Sequence, residues 1–139
     1  KKFPSFIERR RHNWARLRRA LAGTEDKLIL PEEAPGAEAS WFGFLISVRE
    51  DAGITRNEVT RYLEDKGIQT RLLFSGNLIR HPAFDTIRGT DAYRVAGSLG
   101  NTDFIMDHTF WVGVYPGMTD EMTDYMAETI RAALCGEKA

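Results

Sequence analysis

The chain has 139 residues and a formal net charge of −1, with 42% hydrophobic, 28% charged and 11% aromatic residues. This is a globular composition of a length that suits one domain rather than two, so disordered, collagen-like and coiled-coil readings of the whole chain are excluded. The charge is unevenly placed: residues 1–19 carry eight cations against Glu8, while the remainder holds 11 cations and 19 anions. Residues 3–21 place Phe3, Phe6, Ile7, Trp14, Leu17 and Leu21 on a heptad-like seam interrupted by Arg10. This predicts one amphipathic helix with Pro4 in its first turn, Gly23 as its stop and an arginine-rich outer face on which Arg9, Arg16 and Arg19 are exposed. Its seam is expected to bury Trp14.

Residues 31–40 read as a Pro/Gly/Ala-rich loop. Trp41 to Val48 then alternates as a strand, and Thr55-Arg56-Asn57-Glu58 is a capping box that opens a helix burying Val59, Tyr62 and Leu63 before Gly67. Ile68 to Phe74 is a second strand. Residues 75–100 read as irregular, with short helical turns near 82–88 and 91–95. Asn101 or Thr102 caps a short helix running to His108, and Phe110 to Tyr115 forms a third strand that Pro116-Gly117 ends. Thr119 caps a last helix that buries Met122, Tyr125, Met126, Ile130, Ala133 and Leu134. The pattern predicts an α/β (α+β) domain. Its three-stranded mixed sheet carries helices on one face, with the third strand antiparallel to the other two, as in a split β-α-β unit. The open face then needs the long loop, or something outside the chain, to cover it.

The single cysteine, Cys135, excludes an internal disulfide and suits a reducing, cytoplasmic compartment. No apolar run approaches the roughly 20 residues that span a bilayer. The start lacks methionine and falls inside a helix, which suggests a piece of something longer. The arginine-rich helix offers two readings, a phosphate-binding or acidic-partner surface and a solvated face, and the solvated face is the simpler one. Neither zinc-finger spacing nor an RNA-binding signature accompanies it. Asp103, Asp107 and His108 cluster on one short helix, yet two carboxylates so placed are ordinarily solvated, so no metal site is expected. Cys135, at a helix end, reads as a passive thiol. Gly97 to Thr102 lacks a P-loop lysine and reads as a glycine-supported helix entry. The stretch 69–82 gathers Arg71, Ser75, Asn77, Arg80 and His81 at a strand exit, where donors for an anionic or hydroxylated ligand are commonly held.

Three segments, TRLLFSGNLIRHPAF (70–84), SLGNTDFIMDHTFWVGVYPGMT (98–119) and helix 3–21, resemble the DegT/StrS-type sugar aminotransferases, specifically their dehydratase branch. Within that branch they are most similar to the 3-dehydrases that act on CDP-4-keto-6-deoxy-D-glucose in lipopolysaccharide biosynthesis. General aminotransferase relatives carry an arginine followed by proline and a Pro-Leu-His in the loop. Here those positions read Arg71-Leu72 and Gly76-Asn77-Leu78.

The resemblance implies the small C-terminal domain of a fold-type-I pyridoxal phosphate (PLP) enzyme, with residues 1–23 as the linking helix and 24–139 as the domain. It implies a homodimeric parent using PLP or pyridoxamine phosphate (PMP) on a nucleotide sugar. In the CDP-linked form it adds a [2Fe–2S] cluster and a reductase partner. A histidine in place of the Schiff-base lysine would make the parent dehydrate rather than transaminate. Those catalytic and cluster residues belong to a domain outside this chain, so His12, His81, His108 and Cys135 are given no such role. The isolated domain is expected to be inert and to bind no PLP, nucleic acid or membrane. Arg71, Asn77, Arg80 and His81 are the substrate-binding candidates, the first two on positions that match the family loop. The alternatives are the small domain of a nucleotide-sugar aminotransferase and a free-standing module that binds an acidic partner through helix 3–21.

Overall fold

The computed structural model describes residues 2–136. Helix α1 spans Phe3–Ala20, strand β1 Leu28–Ile29, strand β2 Gly43–Val48, helix α2 Arg56–Asp65 and strand β3 Thr70–Leu72. Two 3-10 turns follow at Leu78–Arg80 and Pro82–Ile87, then helix α3 Gly100–His108, strand β4 Thr109–Gly113 and helix α4 Asp120–Leu134. The four strands lie in the order β1-β2-β4-β3, and every neighbouring pair is antiparallel. β4 therefore sits between β2 and β3, which run parallel to each other, and the expected split β-α-β unit is present.

The sheet has four strands rather than three. β1 pairs Leu28 with Val48 and Ile29 with Ser47. Two residues carry no detectable alternation, so only pairing with β2 defines this strand. β3 is shorter than 68–74, because Phe74 turns out of the ladder with a left-handed φ of 47°.

Side-chain alternation sets the core. Phe44, Ile46 and Val48 of β2 and Phe110, Val112 and Val114 on and just beyond β4 are fully buried, with Leu17, Leu21, Val59, Leu63 and Ile130 from α1, α2 and α4. Helices α2 and α4 open where the sequence expects. Thr55 accepts from the Glu58 amide at 3.2 Å while the Glu58 carboxylate accepts from the Thr55 amide at 2.7 Å, and Thr119 accepts from the Met122 amide. α3 starts two or three residues earlier than expected, after Leu99 and with no side-chain cap. Its first amide, that of Gly100, donates to Ser98 Oγ at 3.2 Å.

α1 departs from its expected packing. Leu17 and Leu21 are buried, but Phe3 is 71% exposed and Phe6 is also exposed, so only the C-terminal half of the seam meets the core. Asn13, not a seam residue, is fully buried and donates to the Tyr115 carbonyl at 2.9 Å. Trp14 is half-buried, stacked on Trp41 with ring centroids 5.8 Å apart.

Arg9 and Arg16 are half-buried rather than solvated, because α4 presents its acidic first turn to them. Arg16 grips Asp124 through two nitrogens at 2.7 and 2.6 Å and reaches Asp120 at 2.9 Å; Arg9 and His12 meet Asp120 at 2.8 and 3.0 Å. Arg11 is tied to Glu38, and Arg18 lies near Glu25 and Glu32. Four of the six arginines of this helix are thus paired within the chain, which leaves fewer free charges for the acidic-partner reading.

The clamp carries a pH signature. The His12 hydrogen bond, then that of Arg9 and the Arg16 charge, hold the Asp120 carboxyl below its usual range, and Arg16 does the same for Asp124. A carboxyl whose folded pKa is depressed stabilises above its unfolded pKa and loses that contribution as pH falls through the folded value. Stability should therefore drop on acidification below about pH 4–5. Asp120→Asn should flatten that acid limb in melts recorded against pH; an unchanged acid limb would refute the clamp. The groups are half-buried and still partly open to solvent, so 1 M salt should weaken the effect.

Candidate functional site

The face of the sheet away from the helices is open. β-strand alternation places Leu45, Trp111 and Arg71 in one row across it, since Trp111 pairs with both Leu45 and Arg71. Trp111 lies flat over Gly43, where an added Cβ would meet the indole at 2.7 Å. Phe42 packs edge-on against the same indole, with centroids 5.1 Å apart. Trp111 thus forms a ridge between two grooves. One, of about 540 Å³, runs from Arg71 past Trp111 and Gly113 to Tyr115, Met118, Met122 and Tyr125. The other, of about 210 Å³, is lined by Trp41, Phe42, Leu45 and Phe74. Arg71 is the one charged side chain among the described residues lining either groove.

Arg71 is exposed, and its Nη1 donates only to the neighbouring Thr70 carbonyl, at 2.8 Å. The other three sequence candidates lie together on the loop that follows β3. Asn77 is buried and donates through Nδ2 to Asp103 Oδ1 at 2.8 Å. Arg80 Nη1 meets Asp103 Oδ1 at 3.2 Å and Asp107 Oδ2 at 2.7 Å, leaving its Nε and Nη2 without a partner among the described residues. These bonds hold the Arg80 guanidinium protonated and the Asp107 carboxyl below its usual range, the Arg80 hydrogen bond being the main cause. His81 Nε2 rests against the Ser75 carbonyl. Arg71 and the Asn77/Arg80/His81 group therefore occupy two neighbouring places: an open groove and a braced loop.

Sequence reasoning missed Trp111, Tyr115, Met122 and Tyr125 as lining residues. The signal was present in the alternation: with Phe110 and Val112 facing the helices, Trp111 has to face the other way. Met122 and Tyr125 read as buried on α4, but both are about half exposed at the groove edge. Among the described residues no three His, Cys, Asp or Glu side chains gather to hold a metal ion, and no helix is long and apolar enough to cross a membrane.

The chain is a split β-α-β sheet with helices on one face and a braced polar loop at a strand exit. It superposes on a crystal structure of GDP-4-keto-6-deoxymannose-3-dehydratase with a trapped PLP-glutamate geminal diamine, with a TM-score of 0.78 and 26% identity over 93% of this chain and 32% of that one. The chain belongs to the DegT/DnrJ/EryC1/StrS aminotransferase family, whose description fits residues 1–131.

Among curated relatives it is 50% identical to dTDP-4-dehydro-2,6-dideoxy-D-glucose 3-dehydratase of Saccharopolyspora spinosa, over 93% of this chain and 27% of that protein. It is 46% identical to the lipopolysaccharide biosynthesis protein RfbH of Salmonella typhimurium, over 87% of this chain and 27% of that one. The chain thus spans about a quarter of the length of these relatives.

Proposed function

We propose that this chain is the small C-terminal domain of a PLP- or PMP-dependent nucleotide-4-keto-6-deoxyhexose 3-dehydratase. Residues 1–23 would be its linking helix and 24–139 the domain proper. The parent would be a cytoplasmic enzyme making 3,6-dideoxyhexose precursors for the O-antigen. The observation that carries this reading is the 50% identity, across nearly the whole chain, to a relative named as a sugar 3-dehydratase. The nucleotide-sugar aminotransferase alternative rests on solved structures at 24% identity and below, which support the fold alone.

The described residues do not fit the cofactor itself. The grooves hold one cation, Arg71, and neither a carboxylate for a pyridine nitrogen nor a cluster of phosphate donors. The cofactor would be held by a part of the protein outside this chain, and no chemical step is assigned to these residues. The same holds for the [2Fe–2S] cluster of the CDP-linked type, since Cys135 supplies one thiolate where a cluster takes four ligands. A homodimeric parent and a reductase partner complete the proposal.

The role left to this chain is to bind and orient. Arg71, which lines an apolar groove with Trp111 and Tyr115, would meet an anionic group of the nucleotide sugar. Asn77, Arg80 and His81 shape the adjoining loop, and the unpartnered Arg80 nitrogens add donors there.

The test is to incubate the full-length protein with PMP and a nucleotide-4-keto-6-deoxyhexose and to follow the product by mass spectrometry. Loss of the 3-hydroxyl as water supports the proposal; an amino sugar formed from glutamate would replace it with the aminotransferase. The isolated 139-residue chain should keep no pyridoxal absorbance after dialysis.

A further inference from the structure

Between Arg71 and His108 one residue is buried, and it is polar: Asn77, 5% exposed. Its carboxamide nitrogen has the Asp103 carboxylate as partner. The same Asp103 oxygen also takes Arg80 Nη1, so two loop residues three apart converge on one atom of α3. Asp103 and Asp107 stand one helical turn apart on a common face, and the Arg80 nitrogen bridges them.

Other features show that the loop path is over-determined. Gly76 has a φ of 59°, and an added Cβ would lie 2.6 Å from the Met106 side chain, so loop and helix touch backbone to side chain. Phe74 sits in the left-handed region while 82% exposed, a conformation that persists only where its surroundings impose it. Almost nothing in this stretch adds to the hydrophobic core, so the bracing serves the shape of the loop more than the stability of the domain.

We infer that Asp103 is a positioning residue: from α3 it holds Asn77 and Arg80, and through them loop 74–82, in the shape that meets the nucleotide sugar. This rests on the function proposed above. A carboxylate repels the diphosphate of a sugar nucleotide, and both side-chain bonds that Asp103 makes run to the loop. Its charge is spent on Arg80. Asp107 shares that task at 2.7 Å, but Asp103 alone reaches Asn77 as well, so its loss frees two anchor points rather than one.

The experiment uses the full-length protein with Asp103→Ala, Asp103→Asn, Asn77→Ala and the Asp103→Ala/Asn77→Ala double variant. Two quantities are read: steady-state kinetics with a nucleotide-4-keto-6-deoxyhexose, and amide hydrogen exchange over residues 74–82. Asp103→Ala should speed exchange in the loop and raise KM on the order of tenfold while kcat changes less, as misplacement of binding groups does. Asp103→Asn keeps an acceptor for Asn77 and should recover most of the exchange protection. The double variant should be no worse than Asp103→Ala, since both changes cut the same link.

Unchanged exchange over 74–82 in Asp103→Ala overturns the inference, and so does a raised KM without faster exchange, which would mark direct contact. If the wild-type protein turns over no nucleotide sugar, the functional reading fails. The exchange comparison then decides by itself whether Asp103 holds the loop.

Discussion

Replacing Phe110 by alanine is expected to cost about 3–5 kcal/mol of stability. The ring is completely buried in β4, the strand that joins the two halves of the sheet, and it stands opposite Ile46 on one side and Leu72 on the other. Helices α1, α2 and α4 close over that face, so the neighbours of Phe110 are fixed by several elements at once and cannot collapse into the space left behind. A domain of this size has about 5–15 kcal/mol to lose, so the variant should sit near its folding midpoint under mild denaturant. Phe74 is the control within the same chain. It is the same residue type but largely exposed, and Phe74→Ala should shift stability by no more than about 0.5 kcal/mol. Urea titrations of both variants decide the matter; similar midpoints would show that the core is not where the burial places it.

The contrast between these two phenylalanines shows what the sequence could and could not disclose. The alternation over 41–48 and the two threonine caps are local signals, and each found its element, because capping and strand period act over four to eight residues. β4 between β2 and β3 was also legible, since a β-α-β unit leaves room for an antiparallel insertion. β1 was not, because two residues carry no period. Arg19 is exposed as expected, but Arg9 and Arg16 of α1 were misjudged for a related reason: their partners, Asp120 and Asp124, lie more than a hundred residues away, and no local rule pairs them.

At the candidate site, polar residues concentrated after β3 pointed to the loop. Its division into an exposed Arg71 and a braced Asn77 and Arg80 depends on α3, which the chain reaches only some twenty residues later. The carboxylates of Asp103 and Asp107 looked solvated in sequence because their ligand, Arg80, comes from that loop. The open-face grooves were hidden for a different reason. The alternation with Phe110 and Val112 turns Trp111 to the other face, but the grooves beside it also need Tyr115, Met122 and Tyr125, which come from beyond β4 and from α4.

Arg71→Ala in the full-length enzyme is expected to lower kcat/KM for the nucleotide sugar about ten- to a hundredfold, the loss of one charged contact being worth roughly 1.5–3 kcal/mol. The domain itself should be indifferent. Within the chain the Arg71 guanidinium bonds only to the carbonyl of the adjacent residue, so truncation leaves no buried group unpaired. Its neighbours across the sheet face, Trp111 and Leu45, keep their register through backbone pairing that the side chain does not share. Arg71→Lys separates charge from geometry. A lysine keeps the positive charge but not the planar fork, so an intermediate loss would mean that the anion is held by two parallel bonds. Thermal melts run beside the kinetics complete the test. Wild-type kcat/KM in Arg71→Ala would remove Arg71 from the substrate site, and a lowered melt would make it a structural residue of the sheet instead.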